Sequence, residues 1–192
     1  MFSVKEIQNF QIEVKKSHFL AFIAPISDFK TLHVKLKEEH PKANHIVWAL
    51  RHLNEYNQIV ENCSDDGEPK GTSGPPILNV MRGSELVDCA ILVVRYFGGI
   101  KLGTGGLVRA YGRSAKELIE NSILSEYVHK EYINFYTPFS LLSRFEHYFS
   151  SQNLEVAKRD FDANGATWSV LLSEEERKSF ESFSSLLGID IL

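Results

Sequence analysis

Twelve residues, RYFGGIKLGTGG (95–106), constrain the chain most, because five of them are glycine. They follow a continuously apolar, β-branched run, Cys89–Val94, and precede a segment of helical periodicity that opens at Thr104 or Gly105 and continues to about Asn121. That order reads as a strand over Leu86–Phe97 buried on both faces, a sharp turn, and a helix. At about 100° per residue, Leu107, Tyr111 and Leu118 share one helix face, flanked by Val108 and Ala115. Arg109, Arg113 and Lys116 share the opposite face, and no acid occurs from Arg95 through Lys116. The helix is therefore expected to bury one face and carry a basic stripe on the other.

The glycine segment is not a Walker phosphate loop, because Lys101 precedes the Gly103-Thr104 pair instead of following the second glycine. A dinucleotide fingerprint fails as well: Gly103 and Gly105 are in place, but Val108 holds the third position. A more general chemistry is compatible with it. Strand, glycine loop and helix start gather free N–H groups at one point, where the helix dipole favours an anion. Arg95, Lys101, Thr104, Gly105, Gly106, Arg109, Arg113 and Lys116 are the candidate anion or nucleic-acid contacts. Equally, the glycines can serve turn geometry alone.

Along the rest of the chain, strands are expected at Gln11–Ser17, His18–Ala24 and Asn44–His52, with a brief one at Gln58–Glu61. Ser27 or Asp28 can cap a helix running to about His40, where Pro41 stops it. Residues 63–71 read as loop, and Thr72 or Ser73 can cap a short helix through Pro75 and Pro76 to Gly83. Beyond residue 130 the order is strand (Tyr132–Tyr136), helix (140–151), strand (Leu154–Phe161), turn at Asn164-Gly165, strand (Thr167–Leu172), helix (174–187), strand (Ile189–Leu192). This β-α-β-β-α-β order is ferredoxin-like.

Charge and glycine content both change near residues 125–130. Residues 126–192 hold 6 Lys+Arg against 11 Asp+Glu, and ten of the twelve glycines lie between Gly67 and Gly112. Two domains are expected, 1–128 and 129–192. The net charge of −4 gives no global nucleic-acid signature. No stretch reaches the roughly 20 apolar residues of a membrane span, and no secretory leader is apparent. Cys63 and Cys89 have no metal or redox spacing, which fits a reducing, cytoplasmic setting.

Asp65, Asp66 and Glu68 form a compact acidic group. They suit either a Mg²⁺ site or acid–base pair, or a turn whose carboxylates cap neighbouring backbone; the turn is the favoured reading. His45 reads as a packed or hydrogen-bonded residue of its strand, and the seven histidines show no metal-ligand spacing. No serine lies in a GxSxG context. Trp48, Tyr56, Tyr96, Phe97 and Tyr111 could stack bases, though most are expected in the core.

Two blocks, SDDGEPKGTSGPPIL (64–78) and RYFGGIKLGTGGLVRAYG (95–112), resemble the IMPACT/YigZ family, supported by ANHIVWALR (43–51) and KKSHFLAFIAP (15–25). The first block adds Asp65, Asp66, Gly67, Glu68, Lys70 and Thr72 as a family-motif loop. The chain departs from the family pattern at Asn44, where Thr is usual, at Ser73 (Ala) and at Pro75 (Lys or similar). The resemblance implies an α+β protein: an N-terminal domain like the second domain of ribosomal protein S5, then a ferredoxin-like domain resembling domain V of elongation factor G. Eukaryotic members regulate translation by competing for the activator of a kinase of an initiation factor, but they lack the C-terminal domain, so that partner does not transfer. The expected function is a non-enzymatic cytoplasmic protein that binds RNA or the ribosome and modulates translation, with no cofactor and no metal. The alternative is an enzyme acting on a phosphorylated small molecule or nucleotide in a cleft between Asp65–Glu68 and Gly103–Gly106. The sequence carries no peptidase motif.

Overall fold

The structure, a computed structural model describing residues 1–189 and 191, divides into two units, Met1–Tyr127 and Val128–Leu192. The first contains strands β1 (Phe2–Ser3), β2 (Gln8–Val14), β3 (Ser17–Pro25), β4 (His45–Leu53), β5 (Ile59–Ser64), β6 (Cys89–Tyr96) and β7 (Ser125–Glu126). Its helices are α1 (Phe29–Glu39), α2 (Gly74–Gly83) and α3 (Thr104–Glu120). The second contains β8 (Lys130–Pro138), α4 (Leu142–Ser151), β9 (Glu155–Phe161), β10 (Gly165–Ser173) and α5 (Glu174–Leu186).

In the first unit five antiparallel strands form one sheet in the order β2-β3-β6-β4-β5. Side chains alternate across a strand, so central β6 feeds two cores. Cys89, Ile91 and Val93 pack with Ile77, Met81, Leu107, Tyr111 and Leu118 of α2 and α3. Ala90, Leu92 and Val94 pack with Leu32 and Leu36 of α1. The expectation of a strand buried on both faces is met, with every residue from Cys89 to Arg95 buried. The strand is shorter than Leu86–Phe97 because Asp88 sits at φ 50°, outside extended geometry.

The first strand lies three residues earlier than expected, at Gln8–Val14. Val14 pairs with Ser17, and Lys15 and Lys16 form the two-residue hairpin turn at φ 48° and 64°. That turn favours Asn-Gly, so a Lys-Lys pair gives no sequence signal for it. β5 runs to Ser64, absorbing two residues read as loop. The β1–β7 pair escaped the sequence reading altogether. On α3, Leu107, Tyr111, Ala115 and Leu118 are buried, but Val108 is 41% exposed and belongs to the outer face.

The second unit orders its sheet β8-β10-β9, all antiparallel, as in a ferredoxin-like domain. Phe135, Phe145, Phe149, Trp168 and Phe180 fill its core. Ser173 and Glu176 form a capping box that starts α5. The expected last strand, Ile189–Leu192, includes Asp190 and Leu192, which lie outside the described residues; Ile189 and Ile191 pack against the core. The protein is thus α+β in both units. No helix among the described residues is long and apolar enough to cross a membrane.

Gly98 is required by close approach: a Cβ there would overlap the Lys16 carbonyl of the hairpin turn. Gly112, inside α3, would meet nothing. Gly98→Ala is therefore expected to destabilise the first unit by about 1–3 kcal/mol, and Gly112→Ala to stabilise it by about 0.5–1 kcal/mol. Each unit holds one tryptophan, so urea unfolding followed by Trp48 fluorescence in a Trp168→Phe background measures both.

Candidate anion-binding site

The site is set by sheet register. His45 of β4 and Arg95 of β6 are direct cross-strand partners, and Phe19 of β3 lies opposite Arg95 on the other side. All three side chains belong to the α2–α3 face of the sheet, in phase with Val47 and Val93. Arg95 stacks over the Phe19 ring, 5.6 Å from its centroid. The loop between β5 and α2 then delivers Glu68 onto this pair.

Glu68 is only 7% exposed. Its Oε1 accepts from Arg95 Nη1 at 2.5 Å and from the Tyr111 hydroxyl of α3 at 2.8 Å. Its Oε2 lies 3.8 Å from His45 Nε2, too far for a direct hydrogen bond. His45 Nδ1 is 2.8 Å from the Asp66 carbonyl, which only accepts, so that nitrogen carries a proton and Nε2 faces Glu68. Burial, reinforced by the Glu68 charge and hydrogen bond, pushes the Tyr111 hydroxyl far above its ordinary range, so it remains a donor.

The acids of the motif loop are divided in role. Asp65 accepts from the N–H groups of Gly71, Ser73 and Gly74 and from the Ser73 hydroxyl. It is the cap of α2, supplied from upstream; Ser73 occupies the N-cap position without bonding its own helix. Burial alone would raise the Asp65 carboxyl, but these donors outweigh it and hold it below the ordinary carboxylate range. Asp66 Oδ2 accepts from Ile46 N–H at 2.6 Å and pins the loop to β4. Thr72 is buried and donates to the Pro69 carbonyl, while Gly67 and Lys70 are exposed. Among the described residues no group of three or more His, Cys, Asp or Glu side chains is arranged to hold a metal ion.

The expected cleft between the motif loop and the glycine segment is present in part: Glu68, Gly103 and Thr104 border a common recess, while Asp65, Asp66, Gly105 and Gly106 do not. A recess of about 370 Å³ is lined by His45, Glu68, Arg95, Lys101, Gly103 and Thr104, with Phe97, Leu102 and Leu107 as its apolar wall. Asn44 Oδ1 accepts from Phe97 N–H and orients the rim. α3 enters from Gly103, whose φ of 71° and ψ of 166° suit glycine alone. Among the described residues no side chain caps this helix, and its first turn holds no acid.

The basic residues do not form one uniform stripe. Arg95 is buried against Glu68, and its Nε has no partner among the described residues. Arg113 and Lys116 pair with Glu117 and Glu120 one turn on, because an acid-free stretch ending at Lys116 says nothing of i+4 partners beyond it. Among the described residues Lys101 and Arg109 enter no ion pair, and both are exposed. A second recess of about 230 Å³ is lined by Lys15, Gly106, Arg109 and Arg113 together with Leu102. Lys15, His45 and Tyr111 were missed as site residues: pairing brings the first two in from distant strands, and burial of the Tyr111 ring hides its polar end. Of the aromatic candidates, Tyr56 and Phe97 are exposed, Tyr111 is buried, and Trp48 and Tyr96 pack with the α1 core.

Asp65→Asn is expected to destabilise the first unit by about 1–2 kcal/mol at neutral pH. A depressed folded-state pKa stabilises above the ordinary Asp range and ceases to as pH falls through the folded value. The gap between variant and wild type should therefore close on acidification, which unfolding curves at neutral pH and in acid would show. Glu68→Gln leaves a buried guanidinium unpaired and should cost about 3–5 kcal/mol. Glu68→Leu combined with Arg95→Met should be closer to wild type than Glu68→Gln alone in the same assay.

Residues 15–119 match the family model described as the Impact N-terminal domain. An IMPACT family member of Haemophilus influenzae is 36% identical over 93% of this chain and 86% of its own length. YvyE of Bacillus subtilis, also an IMPACT family member, is 40% identical over 60% of this chain and 54% of its own. A crystal structure of a hypothetical protein covers 100% of this chain and 95% of that one, at 26% identity and a TM-score of 0.78. With the family model spanning both motif blocks and one relative aligned over nearly the whole length, the chain belongs to the IMPACT family.

Proposed function

We propose that the protein binds RNA in the setting of the ribosome and modulates translation, and that it acts by binding. The observation that carries this reading is the recess where Lys15 of the hairpin turn meets Gly106, Arg109 and Arg113 of α3. Two elements far apart in sequence there converge cations on a helix start with no acid in its first turn. Phosphate contacts of this kind supply sequence-independent affinity, and their number sets the salt dependence. The chain's overall charge of −4 gives no general attraction to nucleic acid, so the reading rests on this local patch. The role in translation rests on the resemblance to eukaryotic members that regulate it.

Lys15→Glu combined with Arg109→Glu should lower co-sedimentation with ribosomes at least tenfold at low salt, and reduce the slope of log affinity against log salt by about 1–2. Unaltered sedimentation across the salt series would refute the assignment.

A further inference from the structure

The Glu68 recess, on the other side of Leu102 from the Lys15–Arg109 patch, presents a second set of groups that the RNA reading does not use. Its two ends differ in chemistry. At one end α3 starts with no side-chain cap, and Lys101 and Thr104 stand beside it. At the other, His45 Nε2 and Glu68 Oε2 face each other across 3.8 Å. Arg95 lies between the strands beneath: it is 6% exposed, yet among the described residues its guanidinium makes a single hydrogen bond, to Glu68, and Nε has none. A guanidinium has five N–H donors, and a buried one left this short of acceptors is suited to another oxygen.

We propose that this recess binds a nucleoside 5′-monophosphate group, as a free nucleotide or as the 5′ end of an RNA. Orientation follows from charge. The Glu68 carboxylate repels an anion, so the phosphate goes to the α3 end, where N–H groups, the helix dipole and Lys101 favour it. The space between Glu68 Oε2 and His45 Nε2 takes a donor, and a ribose hydroxyl can donate to the carboxylate there. Phe97, 45% exposed at the rim with Arg95 at 5.8 Å from its ring centroid, offers an aromatic surface for the base. A volume of about 370 Å³ lies in the range of small-ligand sites.

The test is thermal unfolding of the full chain with AMP, UMP, adenosine, inorganic phosphate, and an RNA tetranucleotide bearing either a 5′-phosphate or a 5′-hydroxyl. Saturating monophosphate or 5′-phosphorylated RNA should raise Tm by about 3 °C or more, and adenosine or 5′-hydroxyl RNA should not. A shift with AMP or UMP alone assigns the site to free nucleotides; a shift with 5′-phosphorylated RNA alone assigns it to RNA ends. Thr104→Glu provides the control. An acid in the first turn is favourable to a helix, so the fold persists while the phosphate position is filled by like charge. This variant should keep or raise the basal Tm and lose the ligand shift, and Lys101→Glu should weaken binding about tenfold. Lys15 and Arg109 line only the other recess, so Lys15→Glu combined with Arg109→Glu should keep the monophosphate shift while losing ribosome sedimentation, and the two sites report separately. Absence of any shift in the wild type, an equal shift from inorganic phosphate, or an undiminished shift in Thr104→Glu would overturn the proposal.

Discussion

One carboxylate, that of Glu68, ties loop, strand and helix together at one end of the N-terminal unit. It is taken out of water by the loop before α2 and compensated by a guanidinium from β6 and a hydroxyl from α3. Removing a carboxylate from water is costly, and only the attraction of a well-placed cation and full use of its lone pairs offsets the cost. Because the partners come from loop, strand and helix, satisfying this charge fixes three elements relative to one another. The loop has little freedom left: Asp65 is spent on the start of α2 and Asp66 on the backbone of β4. Three acids within four consecutive positions thus do three separate positioning tasks.

Charge pairing also divides the basic stripe. Helical periodicity places Arg109, Arg113 and Lys116 on one face, but it also brings Glu117 under Arg113 and Glu120 under Lys116. Exposed i,i+4 pairs contribute only a few tenths of a kcal/mol to stability, yet they cancel charge at long range. Positive potential therefore concentrates at the amino half of α3, where Arg109 and Lys101 have no such partner and where Lys15 arrives from the β2–β3 turn.

Much of this architecture was legible because hydrophobic period and turn chemistry agree. The apolar run at Cys89–Val94 and the wheel of Leu107, Tyr111 and Leu118 both predict what they bury. Where the reading failed, the missing information was non-local. The Lys15-Lys16 turn lacks glycine or asparagine, and its register is set by pairing with β3. Val108 lies beside the buried arc in projection, but the sheet beneath α3 covers a narrower arc than the wheel suggests. His45 looked like an ordinary strand histidine; only its registration opposite Arg95 places it over Glu68. The two-residue pairing of β1 with β7 joins the start of the chain to residues beyond α3, a connection no local pattern encodes.

Whether the glycines of 95–106 serve geometry or an anion is then not a choice between exclusive alternatives. Gly98 is needed because the hairpin turn passes against it, and Gly103 because no other residue adopts its backbone angles readily. α2 and α5 receive carboxylate or hydroxyl caps, and α1 and α4 are entered through a 3₁₀ turn, which occupies part of the helix-start N–H groups. α3, at 17 residues the longest helix, is entered directly from a glycine with neither device. A glycine N-cap sacrifices only a few tenths of a kcal/mol relative to a capping side chain. For that small loss the fold leaves the first turn of α3 without a capping side chain among the described residues, with Thr104 bordering the recess above Arg95. The geometry that forces glycine at the turn is the same geometry that excludes a protein cap, so the anion-ready character of α3 is a consequence of the turn.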